Sequence, residues 1–288
     1  YVVPTADFHE SEYVGAHFKA RSYITGFTGS AGTAIITKTE AGLWTDARYF
    51  LQAKRQLENT GVTLYRMGEE GVPTIMEYLR SALPEGGTLG FDGRVINARL
   101  GAAFLALAEE KNGKLAVSED LVGIIWNDRP ELPHAPVRIL TAEYSGRSTA
   151  DKLADVRAEM KKQGAGVHLL TSLYDIAWLL NVRGGDIDYV PVVLSYLALT
   201  EEKCLWFVQD AILTPELRAY LAENHIETRP YESFYDYAAA IPAGETVLLD
   251  KGVCNYRLVS ELREGVKTVD ETNPSVLMKS VKNETEQK

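Results

Sequence analysis

The stretch Gly26–Gln52, GFTGSAGTAIITKTEAGLWTDARYFLQ, governs how the rest of the chain is interpreted. A small-residue loop (Gly26, Gly29, Ser30, Ala31, Gly32) leads into a strand over 33–37, a tight turn over 39–42, a second strand over 43–45 and then a helix. Asp46 stands where it can cap that helix, because its carboxylate accepts from the free amides of a first turn. Glycine-rich loops also cradle phosphates. Such a cradle needs its glycines to follow a strand and open a helix, so that amides and helix dipole point at the anion. Here the glycines lead into a strand, which leaves a nucleotide-dependent enzyme as the weakest of the candidate classes.

Working outward, residues 1–3 form a strand and 9–14 the start of a short helix. Phe50, Leu51, Ala53 and Leu57 give the helix over 46–59 an apolar stripe. A strand over 62–66, a helix over 74–83 stopped by Pro84, a strand over 88–92, a helix over 98–111 and a short strand over 115–117 follow. Residues 128–137 carry Pro130, Pro133 and Pro136 and can hold neither a helix nor a central strand. They form the linker, giving domains over 1–134 and 135–288. The second half alternates in the same way, with helices over 149–162, 174–180, 215–223, 233–239 and 255–265. Its strands fall over 167–171, 191–200, 203–208, 226–229 and 246–250. Strands alternating with helices argue α/β domains, each a mixed β-sheet flanked by helices.

An internal repeat sharpens this. LPEGGT (83–88), Asp92 and NARL (97–100) match IPAGET (241–246), Asp250 and NYRL (255–258) at one constant offset. Thr37 and Trp44 pair with Thr200 and Trp206 at a similar one. Two tandem copies of one domain are the economical explanation. The second copy opens with a helix that the first lacks, so roughly twenty residues carrying a helix are expected upstream of Tyr1, at ~1.5 Å per residue. Asn283 followed by Glu286 has the pattern of a capping box opening a further helix, so the chain is expected to be a fragment, clipped at both ends.

The net charge of −10, with no basic block to offset it, argues against a nucleic-acid partner. A hydrophobic content of 45% suffices for two cores. No apolar run approaches the ~20 residues of a membrane span, and no signal peptide opens the chain, so the expectation is no membrane and a cytoplasmic location. Cys204 and Cys254 lie in apolar, strand-like runs, as buried free thiols of a reducing compartment do.

Asp7, His9, Glu10 and Glu12 make the densest donor cluster, but no second cluster has metal-ligand spacing; a surface loop with a helix cap is the expectation. His168 sits in an apolar strand, as a core histidine would. Ser11, Ser30 and Ser172 lack a nucleophile-elbow setting, and no triad emerges, so neither a catalytic residue nor a metal ligand is assigned. Arginine forks suit carboxylates. Arg183, in NVRGGD (181–186), either braces its loop through Asp186 or Asp188 or receives a peptide or a neighbouring domain.

Five separated motifs carry a resemblance. DFHESEY (7–13), GFTGSAGTA (26–34), WTDARYF (44–50), IWNDRP (125–130) and DIAWLLNVRG (175–184) resemble, in order, the N-terminal part of the three-domain Xaa-Pro aminopeptidases. The resemblance implies two duplicated creatinase-like domains preceding a pita-bread catalytic domain that begins about where this chain ends. It implies two divalent metal ions, usually manganese, in that absent domain, none here, and hydrolysis of the N-terminal residue before a proline. It further implies that these domains are catalytically silent, support a homodimer, contact their own catalytic domain and wall an entrance for proline-containing peptides. His9, Glu12, Tyr13 and Arg48 in the first domain and Arg183 and Asp186 in the second match family motif positions as entrance or inter-domain candidates. A stand-alone creatinase-like binding or scaffolding module is the alternative.

Overall fold

Strands β1 (Val2–Pro4), β2 (Thr33–Ile36), β3 (Ala41–Thr45) and β4 (Val62–Arg66) form a sheet in that order, antiparallel except for the parallel β3–β4 pair. The coordinates, a computed structural model, describe residues 1–288. By contacts the chain divides into two units, Tyr1–Phe8 with Glu12–Glu131 and His9–Ser11 with Leu132–Lys288.

In the first unit the expected hairpin forms, but its turn lies at 37–40 rather than 39–42, and the second strand starts at Ala41. The Thr37 amide donates to the Glu40 carbonyl at 2.8 Å, and the Thr37 hydroxyl accepts from the Glu40 amide at 3.0 Å. Gly42 is required by packing, because a Cβ there would lie 2.7 Å from the rings of Trp44 and Tyr65, which stack at 3.9 Å. The unit's helices are α1 (Ala20–Thr25), α2 (Phe50–Gln56), α3 (Ile75–Ala82), α4 (Ala98–Glu110) and α5 (Leu121–Ile125). Asp46 caps the 3-10 turn that leads into α2, accepting from the Arg48 amide at 3.1 Å. Ala53 of α2 and Leu57, which follows the helix, are buried, whereas Leu51 is 75% exposed and does not belong to the apolar stripe. Strands β5 (Thr88–Gly90) and β6 (Lys114–Ala116) pair in parallel, and a bridge from Val2 to Phe91 ties them beside β1. No helix forms over 9–14; the segment is irregular, with Glu10 at φ 55°.

The second unit repeats the plan. Its strands are β7 (Arg138–Ile139), β8 (Val167–Leu170), β9 (Val182–Arg183), β10 (Ser195–Thr200), β11 (Cys204–Val208), β12 (Ile226–Pro230), β13 (Thr246–Leu249) and β14 (Lys267–Asp270). Six of them form one sheet in the order β12-β11-β10-β8-β13-β14. That is the order β4-β3-β2-β1-β5-β6 of the first unit, with the same parallel and antiparallel neighbours. Its helices are α6 (Ala142–Ser145), α7 (Thr149–Lys162), α8 (Leu173–Leu179), α9 (Pro215–Glu223), α10 (Phe234–Ala240), α11 (Tyr256–Glu261) and α12 (Pro274–Ser280). Every residue of β8 and β11 is buried, as expected of strands covered on both faces.

The repeat is visible bond by bond. Asn97 and Asn255 cap α4 and α11, accepting from the amides of Leu100 and Leu258. Thr200 closes its hairpin with Lys203 as Thr37 does with Glu40. This turn corrects one pairing. Ile36 faces Ala41 and Leu199 faces Cys204, so Trp206 answers Leu43, and Trp44 answers Phe207. The two tryptophans therefore lie on opposite faces of equivalent strands, because side chains alternate along a strand. The helix expected over 255–265 ends at Glu261, and a turn with Gly265 at φ 89° leads into β14.

Candidate functional site

The candidate residues of the first unit sit at the surface or are spent on local structure. Glu12 is exposed and Tyr13 is 49% exposed. Arg48 makes a two-pronged contact with Asp46, from Nε and Nη2, each at 2.8 Å. That pairing pulls the Asp46 carboxyl below its ordinary range, and the guanidinium also lies over the Tyr49 ring. Arg129 holds Asp120, whose other oxygen caps α5 at the Gly123 amide.

His9 is buried within the second unit, so the surface-loop expectation for its cluster fails at this residue and at Asp7, each 1% exposed. Its Nδ1 stands 2.9 Å from the Thr171 carbonyl, which can only accept, so Nδ1 carries the proton. Nε2 lies 2.7 Å from the Tyr231 hydroxyl. From there a polar thread continues through the Tyr196 hydroxyl at 3.4 Å and the Tyr235 hydroxyl at 3.1 Å to the Asn255 amide at 3.0 Å. Burial pushes the Tyr196 phenol well above its ordinary range. Sequence reading missed the three tyrosines, whose hydroxyls meet only when separate elements pack.

Arg183 and Asp186 do not pair with each other. Asp186 accepts from the amides of Ala135 and Leu194, each at 2.8 Å, while burial pushes its carboxyl above the usual aspartate range. Arg183 Nη1 donates to the carbonyls of Ala177 at 2.7 Å and Val182 at 2.9 Å. The loop brace is therefore real, but its partners are backbone groups rather than Asp186 or Asp188.

Arg183 belongs to a larger device at the C-terminal end of α8, where the last carbonyls of a helix have no internal partner. Lys152 Nζ donates to the Trp178 carbonyl at 2.9 Å and to Asn181 Oδ1 at 2.7 Å, and Tyr220 donates to the Leu180 carbonyl at 3.0 Å. Lys152 is 1% exposed, and burial lowers its pKa to about 8. A signal for it existed. On α7, Thr149, Leu153, Val156 and Met160 form the buried stripe, and Lys152 occupies a stripe position.

These networks tie side chains to backbone carbonyls and amides. Cys204 and Cys254 are buried free thiols pushed up to about 12, so neither is a thiolate near neutral pH. No group of three or more His, Cys, Asp or Glu side chains is arranged to hold a metal ion. A surface groove of about 410 Å³ lies at the carboxyl ends of β11 and β12, between Gln209–Leu213 and Thr228–Glu232. Two of the charges at its rim are paired locally, Asp210 with Arg218 and Arg229 with Glu227. No helix is long and apolar enough to cross a membrane.

Two family models match, both described as the creatinase/prolidase N-terminal domain, one over residues 15–123 and the other over 128–286. The chain is 37% identical over 264 residues to Aminopeptidase P2 of Arabidopsis thaliana, covering 90% of this chain and 37% of that protein. It is 38% identical over 306 residues to a probable Xaa-Pro aminopeptidase P of Sordaria macrospora, covering 99% of this chain and 48% of that protein. Among solved structures, it is similar to an X-prolyl aminopeptidase from Caenorhabditis elegans, described as a cytosolic enzyme with a di-nuclear active site. That match has a TM-score of 0.92 and 29% identity, over 100% of this chain and 48% of the other. The chain thus spans about half the length of most of these relatives, and less of the first.

Proposed function

The chain belongs to the creatinase/prolidase N-terminal domain family as a tandem pair, and from that premise we propose that it is the non-catalytic N-terminal portion of a metal-dependent Xaa-Pro aminopeptidase. The observation that carries the reading is the match of the whole chain to 48% of an X-prolyl aminopeptidase at a TM-score of 0.92. In this reading the domain boundary falls in the proline-bearing stretch near residue 134. The pair supports a homodimer, packs on its own catalytic domain and walls the entrance for proline-containing peptides, in the cytoplasm.

The donor side chains of this chain do not fit a dinuclear centre, since none are grouped for even one ion. Two divalent ions, manganese in this proposal, belong to residues outside the chain. His9, Glu12, Tyr13, Arg48, Arg183 and Asp186 then act as positioning or entrance residues. The networks around His9, Arg183 and Asp186 support a positioning role for those three, because each orders backbone of its own unit.

An Xaa-Pro hydrolysis assay with added manganese, run on this chain and on the full-length gene product, tests the proposal. The expected result is cleavage by the full-length protein and none by the chain. Cleavage by the chain alone overturns the reading and directs attention to the Asp7–Glu12 segment. Absence of cleavage by both supports the stand-alone binding module instead.

A further inference from the structure

We infer that residues 279–287 form a clasp that fixes the direction in which the chain leaves the second unit; the functional sense of this rests on the chain being the N-terminal portion of a longer enzyme. Lys279 Nζ lies 2.6 Å from Asp175 Oδ1, and the Asp175 side chain is only 2% exposed. That contact ties α12 to the first turn of α8, where the Asp175 amide meets Ser172 Oγ. Four residues on, Asn283 closes its own turn and reaches outward at once. Its Oδ1 accepts from the amides of Thr285 and Glu286, each at 3.0 Å, and its amide donates to Glu286 Oε2 at 3.1 Å. The reciprocal bonds of the capping box expected from sequence are therefore formed, and here they close a turn rather than a helix. Its Nδ2 donates to the Ser145 carbonyl at 2.9 Å, at the end of α6.

The receiving surface is shaped for this contact. Gly146 caps α6 at φ 68°, and a Cβ there would lie 2.2 Å from Asn283 Oδ1. Glycine thus serves both a left-handed backbone and the clearance for the incoming amide. From Ser145 the ties continue inward. Ser145 Oγ and Asn181 Nδ2 both donate to the Arg147 carbonyl at 2.9 Å, and Lys152 holds Asn181. The Glu286 carboxylate of the clasp also favours the charged forms of Lys152 and Arg183, against the larger effect of their burial. A flexible tether would give up no conformational freedom; this segment gives it up in exchange for contacts to α6 and α8.

Trypsin cleavage at the Lys282–Asn283 bond reads the clasp directly. In the 288-residue chain that bond is expected to be cut at least about tenfold more slowly than in a synthetic peptide spanning 273–288, because cleavage must await local opening. Asn283→Asp keeps the oxygen that closes the turn but cannot donate to the Ser145 carbonyl. Gly146→Ala displaces Asn283 from the other side. Each is expected to raise the rate about fivefold or more, with the cut confined to this segment. A wild-type rate equal to that of the peptide overturns the inference, as does a rate unchanged in both variants. The readout involves no peptide hydrolysis by the protein itself, so failure of the aminopeptidase reading would leave it untouched.

Discussion

Replacing Lys152 by methionine tests whether the buried ammonium titrates as its surroundings dictate. The side chain is 1% exposed and its pKa falls from 10.5 to about 8, chiefly through burial, with Arg183, Arg147 and Lys282 adding like charge and Glu286 opposing them. Below pH 8 both the folded and the unfolded chain hold the proton, and the folded state bears the full cost of a buried cation. Between 8 and 10.5 the folded state releases the proton while the unfolded state keeps it, so stability rises with pH. At about 1.4 kcal/mol per unit the full swing would be about 3 kcal/mol, and solvent screening brings the expectation to about 2 kcal/mol. Methionine preserves the apolar stem and cannot titrate. It leaves the Trp178 carbonyl and the Asn181 side chain without their donor, a penalty independent of pH. Urea unfolding of both proteins from pH 7 to 10.5 gives the stability difference directly, and the other tyrosines, lysines and cysteines cancel in the subtraction. The wild type should gain about 2 kcal/mol on the variant across that window. A difference flat with pH, or one of opposite slope, refutes the reasoning.

Asp186→Ala should cost the second unit about 2–4 kcal/mol, since two amides lose a buried acceptor; a fall of less than 1 kcal/mol in chemical denaturation would contradict the brace. Asn97→Ala should cost about 1 kcal/mol as a lost cap, and Asn255→Ala more, because its Nδ2 also serves the Tyr235 hydroxyl. Equal losses in urea titrations would mean that the tyrosine thread adds nothing. His168 is buried with Nδ1 on the Leu248 carbonyl, and burial lowers its pKa below 6.5. Its neutral form therefore supports stability above that pH, and the support drains away as pH falls from 6.5 through the lowered value. His168→Gln should flatten this part of the acid limb, and thermal melts between pH 5 and 7 would expose an unchanged slope.

Much of the fold was legible in the chain because it rests on local rules. The constant-offset repeat needed only short-range turn and cap chemistry, with Asn97 and Asn255 at equivalent helix starts and Gly86 and Gly244 both at positive φ. The turn at Thr37 and Thr200 likewise comes from one hydroxyl and its neighbours. Strand β14 escaped because four residues, KTVD, with little burial carry no alternation to detect. Trp44 and Trp206 were paired by residue type, and only the register showed that they face opposite ways.

The candidate site divides in the same manner. Residue type and motif position selected His9, Arg183 and Asp186, and each does hold structure together. Their partners lie in other elements: Thr171 and Tyr231 for His9, the α8 carbonyls for Arg183, and the Ala135 and Leu194 amides for Asp186. Sequence by itself determined the α/β class, the duplication and the cap at Asp46, because those depend on spacing within a few residues. Tertiary structure decided that a lysine on an amphipathic helix is buried and that a histidine expected in a surface loop is sealed among tyrosines. Burial and hydrogen-bond partnership belong to the packed chain, and distances across a hundred residues of sequence exist only once it has folded.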